Sequence, residues 1–173
     1  MKRFLTIFCL VILCSSCSRA TYYIVRHAEK ATSTPGMSSD VPLSEAGEQR
    51  AKKLNELLKD QNIGHIFSTQ TIRTTSTAKP LSEAMNVPIQ IYNPRDTTNA
   101  FISQLKAMNK KNVLVVGHSN TVDDIVNKLM GKQILSDLPD SAYNNLFIVK
   151  RVGKKYRFSR KVYEPYVLIN QRW

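Results

Sequence analysis

The sequence predicts an α/β domain of three αβα layers, with a mostly parallel central sheet and an antiparallel C-terminal hairpin. Three observations carry this prediction. Two β-favouring apolar runs, 22–25 and 113–116, each end abruptly near a histidine. Continuous apolar runs bounded by turn chemistry read as buried strands of a parallel sheet. Helical-period segments alternate with strand-like segments along the chain, the pattern of βαβ units covered on both faces. Last, 146–152 and 156–163 alternate around Gly153-Lys154, which is a hairpin signal.

The elements follow in order. Residues 22–26 form the first strand, and 31–42, rich in Ser, Thr, Pro and Gly, form a loop. Ser44 caps a helix running to about Gln61, with Ala51, Leu54 and Leu58 at core spacing. A short strand covers 64–67, a helix 71–85, and a strand 87–92, after which Asn93-Pro94 breaks the chain. A helix over 98–108 leads to the second histidine-bearing strand at 113–116. Val122, Ile125, Val126 and Leu129 mark the next helix by i, i+3, i+4, i+7 spacing, and Gly131 stops it. Residues 132–144 are irregular, and the hairpin completes the sheet.

The 173 residues suffice for one domain with a sizeable core, and 42% hydrophobic with 22% charged content is a globular composition. The N-terminus is set apart. Lys2 and Arg3 precede an apolar run, 4–13, and small residues Ser15 and Ser16 precede Cys17. A basic region, an apolar core and small residues at a cleavage site describe a secretory signal peptide. The run is about half the ~20 residues that a spanning helix needs. Small residues directly before a cysteine resemble a bacterial lipobox, although Cys14 stands where leucine is usual. Three segments are thus expected: a lipoprotein-type signal peptide at 1–16, a short tether at 17–21 with Cys17 lipidated, and the domain at 22–173. The alternative is a plain signal peptide cut near Ala20, giving a soluble periplasmic or secreted protein. The expected location is the cell envelope. Cys9, Cys14 and Cys17 all lie in this segment, so the domain has no thiolate for catalysis, zinc or a disulfide.

The formal net charge is +12. Lys150, Arg151, Lys154, Lys155, Arg157, Arg160, Lys161 and Arg172 are set against Glu164 alone near the C-terminus. Such a surface attracts anionic partners. An exported chain without a nucleic-acid motif argues against nucleic acid and for anionic lipid beside an anchor. A plain solvated hairpin is the alternative.

Ligand sites of open α/β sheets lie at the carboxyl ends of the strands. His27 and His118 follow two such ends, and Arg26 comes with the first. Two imidazoles and an arginine in one crevice suit phosphoryl transfer through a histidine. Four stretches carry a resemblance: Val25-Arg26-His27-Ala28-Glu29, Leu43-Ser44-Glu45-Ala46-Gly47, Ser68 to Thr74 with Thr77-Ala78, and Gly117-His118-Ser119-Asn120-Thr121. In that order and spacing they resemble the histidine phosphatase superfamily, with its phosphoglycerate mutase-like fold. Ala28 stands where that signature usually has glycine.

The resemblance implies a phosphomonoesterase in which His27 is the nucleophile, while Arg26, Arg73 and His118 hold the transferring phosphoryl group. Ser68 and Asn120 are expected to add contacts to the substrate or to the residues that hold it, and the resemblance implies a general acid between the second arginine motif and the second histidine. Asp96 is the only acidic residue between Glu83 and Asp123, so it is the candidate acid; Glu29, next but one to the nucleophile, is the alternative. No metal or other cofactor is implied. Short segments between motifs point to a small, open pocket like that of SixA-like phosphohistidine phosphatases, which gives an alternative substrate class. Export favours a small phosphorylated substrate over a cytosolic phosphorelay protein. The rival of another class is a silent, membrane-tethered module that binds phosphate or polyanions. His65, Asp123 and Asp124 are read as structural or exposed.

Overall fold

Apolar periodicity sorts this chain into a sheet with helices on both sides. The computed structural model describes residues 19–32, 40–96 and 100–164. Residues 1–16, where a signal peptide is expected, Cys17, the middle of the 31–42 loop, Thr98 and Arg172 lie outside the described residues.

The chain runs β1 (Arg19–Arg26), α1 (Glu45–Leu58), β2 (Ile63–Ser68), α2 (Ile72–Met85), β3 (Ile89–Ile91), α3 (Ala100–Ala107), β4 (Asn112–Gly117), α4 (Ser119–Met130), β5 (Asn145–Val152) and β6 (Lys155–Val162). One six-stranded sheet has the order β3-β2-β4-β1-β5-β6. β3, β2, β4 and β1 pair in parallel, and β5 and β6 add the antiparallel edge. The predicted architecture is the observed one.

Alternation along the strands makes two cores. Tyr22, Ile24, Val113, Val115, Phe147 and Val149 pack on one face against α3 and α4 through Phe101, Leu105, Ile125 and Leu129. Tyr23, Val25, Leu114, Val116 and Leu146 pack on the other against Leu54, Leu58, Ala78 and Leu81 of α1 and α2. Deleting one of these side chains, Leu54→Ala for instance, would cost ~2–5 kcal/mol by the usual large-to-small rule.

Three boundaries differ from the sequence reading. β1 begins at Arg19, so Arg19, Ala20 and Thr21, expected in the tether, already pair with β5. An antiparallel partner gives these residues a ladder that apolar content alone does not announce. β3 is only three residues long. α1 ends at Leu58, and the chain turns before Asn62, whose φ of 51° closes the connection to β2. Arg151, grouped by sequence with the surface cations, is buried, and its guanidinium donates to the carbonyls of Lys106 and Met108 at the end of α3.

Candidate active site

Register brings the two histidines together. β1 and β4 pair with Arg26 opposite Gly117, and the His27 amide extends the ladder by donating to the Gly117 carbonyl at 2.9 Å. The next residues, His27 and His118, therefore leave adjacent strand ends side by side. Their ring centroids are 5.4 Å apart, edge to face. Gly117 is needed here because a Cβ would stand 2.6 Å from Thr121 Oγ1 and 2.7 Å from the Tyr92 hydroxyl.

His27 is 3% exposed. Its Nδ1 lies 2.7 Å from the Ala28 carbonyl, which only accepts, so Nδ1 carries the proton and the lone pair sits on Nε2. Burial above all pushes its pKa down to about 4, with Arg26, Arg73 and His118 adding to the shift against the Ala28 hydrogen bond. His118 falls to about 4 as well, first by burial and then by Arg73 and Arg26, with Asp40 opposing. Both rings should titrate near pH 4 in a two-dimensional NMR titration of the ligand-free protein, and both are neutral at pH 7. Resonances titrating near the ordinary 6.5 would contradict this environment.

The cations come from two elements. Arg26 is buried at the end of β1, where its guanidinium meets the Pro139 and Asp140 carbonyls, the Asp140 carboxylate and the Tyr143 ring, 4.4 Å from its centroid. Its Nε is buried and has no partner among the described residues. Arg73, half-buried in the first turn of α2, pairs with Asp40 at 3.3 Å. Asp40 also accepts from the Ile72 amide at 2.9 Å and so caps α2, whose Thr71 supplies no side-chain cap. Thr77 ties that helix to the nucleophile: its hydroxyl donates to the Arg73 carbonyl and accepts from the Ala28 amide.

The sequence candidates divide on this geometry. His27, Arg26, Arg73 and His118 converge. Ser68 does not reach the crevice; it is fully buried and donates its hydroxyl to the Thr69 carbonyl. An inward position at the end of β2 aims it into the core. Asn120 is exposed in the first turn of α4. Glu29 is not available as an acid. Arg50 Nε lies 2.9 and 2.8 Å from its two oxygens, and although burial raises its pKa, the Arg50 hydrogen bonds outweigh that and lower it. Asp96 ends the 3-10 turn Pro94–Asp96 beyond the carboxyl end of β3.

Sequence reasoning missed three neighbours. Thr69 Oγ1 lies 2.9 Å from His118 Nε2 and also donates to Thr74, fixing the orientation of the second histidine. Its place beside Ser68 in the motif was the available signal. Asp40 supports Arg73, and Tyr143 flanks His27 at 5.8 Å between centroids. Tyr143 comes from an irregular segment without any periodic signal.

Residues 22–94 match the histidine phosphatase superfamily (branch 1). That stretch holds Arg26, His27 and Arg73 and stops before His118, so the fold supplies the second histidine. No curated protein matches the chain in sequence. Among solved structures, the chain is similar to a putative phosphohistidine phosphatase SixA from Agrobacterium tumefaciens, with 22% identity, 83% of this chain and 98% of that chain covered, and a TM-score of 0.61. It is similar to Bacillus stearothermophilus YhfR at 15% identity, 86% and 98% coverage and a TM-score of 0.65. It is also similar to a protein histidine phosphatase SixA complexed with tungstate, at 16% identity, 82% and 96% coverage and a TM-score of 0.64. At these identities the structures establish the shared phosphoglycerate mutase-like fold.

Among the described residues, no cluster of three His, Cys, Asp or Glu could hold a metal ion, and no helix is long and apolar enough to cross a membrane.

Proposed function

We propose that this chain is a phosphomonoesterase that works through a phosphohistidine on His27. The observation that carries the reading is the free Nε2 of a buried, neutral His27, set beside His118 and between Arg26 and Arg73. Nε2 attacks phosphorus, the bond to the leaving oxygen breaks, and the electron pair leaves with that oxygen. Water then attacks the phosphohistidine, which releases inorganic phosphate and returns His27. Splitting one displacement into two lowers each barrier. The phosphoryl oxygens need fixed donors, and two guanidiniums with the unpartnered Arg26 Nε supply them. A neutral His118 has a single N–H, which Thr69 Oγ1 accepts in the free protein, so it donates to a phosphoryl oxygen by exchanging that partner. All of this chemistry uses side chains, with no metal.

Asp96 is our candidate for the proton given to the leaving group. The turn that carries it lies on the same end of the sheet as the histidines. Asp96→Asn should cut hydrolysis of an alkyl phosphate by ~10²–10⁴, the usual contribution of a general acid. An aryl phosphate such as p-nitrophenyl phosphate leaves as a stabilised phenolate and should lose far less. Equal losses on both substrates, or none, would move the acid elsewhere. Turnover of neither substrate by the wild type would instead point to the phosphate-binding module.

A phosphohistidine substrate is the second reading, favoured by the SixA structures that this fold resembles. Its imidazole leaving group needs less help from an acid. We place the protein in the cell envelope, held by a lipid on Cys17, on the strength of the N-terminal pattern alone.

A further inference from the structure

We propose that one face of the β1-β5-β6 end of the sheet docks on an anionic lipid surface. The pairing registers sort the side chains of this corner. Arg19, Val152 and Lys155 lie opposite one another, as do Thr21, Lys150 and Arg157 in the next row, and Val25, Leu146 and Lys161 nearer the site. Residues opposite one another project from the same face. Five cations therefore share a face: Arg19, Lys150, Lys155, Arg157 and Lys161. All five are exposed, and Lys154 in the hairpin turn adds a sixth beside them.

Nothing on these strands offsets that charge, since β1, β5 and β6 contain no acidic residue. The opposite face of the same hairpin behaves differently: Tyr156 and Phe158 pack on the core, and Arg160 hydrogen-bonds Asn145. α1 and α2 cover the cationic face only as far as Tyr23, Val25, Leu146 and Ile148. Past that limit Val152 stands 49% exposed among the cations. A cationic face with an apolar residue in it fits phosphate headgroups over an acyl boundary. The electrostatic attraction of each Lys or Arg to such a surface adds to that of its neighbours.

Two features choose lipid over another anionic partner. Residues 1–18, with their apolar run and Cys17, join the sheet at Arg19, which is itself on this face. The site opens at the carboxyl ends of β1 and β4, off the face, so docking leaves it accessible. The inference is independent of the catalytic proposal.

The test compares binding of the full chain to vesicles of phosphatidylcholine and to vesicles that also contain phosphatidylglycerol. The ratio cancels whatever the N-terminal segment contributes equally to both. The wild type should favour the anionic vesicles, less so as salt rises. Lys150→Gln, Arg157→Gln and Lys161→Gln together should lower that preference by about 100-fold, from the usual contribution of each surface cation. Lys52→Gln, Lys79→Gln and Lys132→Gln together remove the same charge from exposed positions elsewhere and should lower it far less. Circular dichroism and the urea midpoint report that both variants are folded. Three results would overturn the proposal: no anionic preference in the wild type, equal losses in the two variants, or vesicle-free self-association that only the first variant abolishes, which would make the face a contact between copies.

Discussion

His27→Ala is expected to lower phosphatase turnover by ~10⁴ or more, the scale seen when a covalent nucleophile is removed. The substitution deletes the lone pair that Nε2 presents and leaves the arginines and His118 in place. The fold should survive. Among the described residues, the His27 ring hydrogen-bonds only its neighbour's carbonyl, and the backbone amide of residue 27 still pairs with Gly117. Circular dichroism and the urea midpoint should match the wild type closely, while substrate binding persists. Near-normal activity in a folded variant would remove His27 from the reaction.

Arg50→Met should give a loss of stability as large as that of a core truncation. Arg50 projects from α1, and its side chain is 6% exposed where it meets a Glu29 that is 22% exposed. It also donates to the Tyr163 carbonyl at 2.7 Å and so ties the end of β6 to the loop after the nucleophile. Removing one partner of a buried pair leaves an uncompensated charge, which costs ~3–5 kcal/mol. Partial exposure of Glu29 puts the expectation at the lower end. Urea denaturation at pH 7 measures it, and adding Glu29→Gln should recover part of the loss. The effect has a pH signature. Glu29's folded pKa lies below its ordinary 4.5, so its contribution is present above that value and fades as pH falls through the folded pKa. The gap between wild type and Arg50→Met should therefore narrow in acid. A gap independent of pH would mean that packing, not the ion pair, holds Arg50. Both histidines act in the same direction over a higher range. Their depressed values mean the folded state binds fewer protons between about 6.5 and about 4, so stability falls across that interval in either protein.

The sheet, its two helical layers and the meeting of the histidines were legible because each depends on strongly patterned segments. Apolar runs ending in His27 and His118 define parallel strands whatever lies between them. The Leu43 to Gly47 stretch was legible as a cap, and the structure supplies its packing reason: Ser44 Oγ accepts from the Gly47 amide, and a Cβ on Gly47 would collide with the Glu29 carbonyl. The burial of Ser68 was not legible, because a motif position does not reveal which side of a strand end faces the crevice. Glu29 was a reasonable acid until its partner appeared, since Arg50 lies 21 residues away and no local spacing links them. Tyr143 and the Pro139-Asp140 carbonyls that hold Arg26 come from an aperiodic loop, which only tertiary packing places.

The central claim is a covalent phosphohistidine, and rapid acid-free quenching tests it most directly. Enzyme mixed with labelled p-nitrophenyl phosphate is denatured in alkali during turnover and digested, and the phosphorylated residue is located by mass spectrometry. The account predicts one acid-labile, alkali-stable phosphoryl group on Nε2 of His27, because the Ala28 carbonyl holds the proton on Nδ1. Full turnover with no adduct on His27, or an adduct on His118 instead, would contradict it.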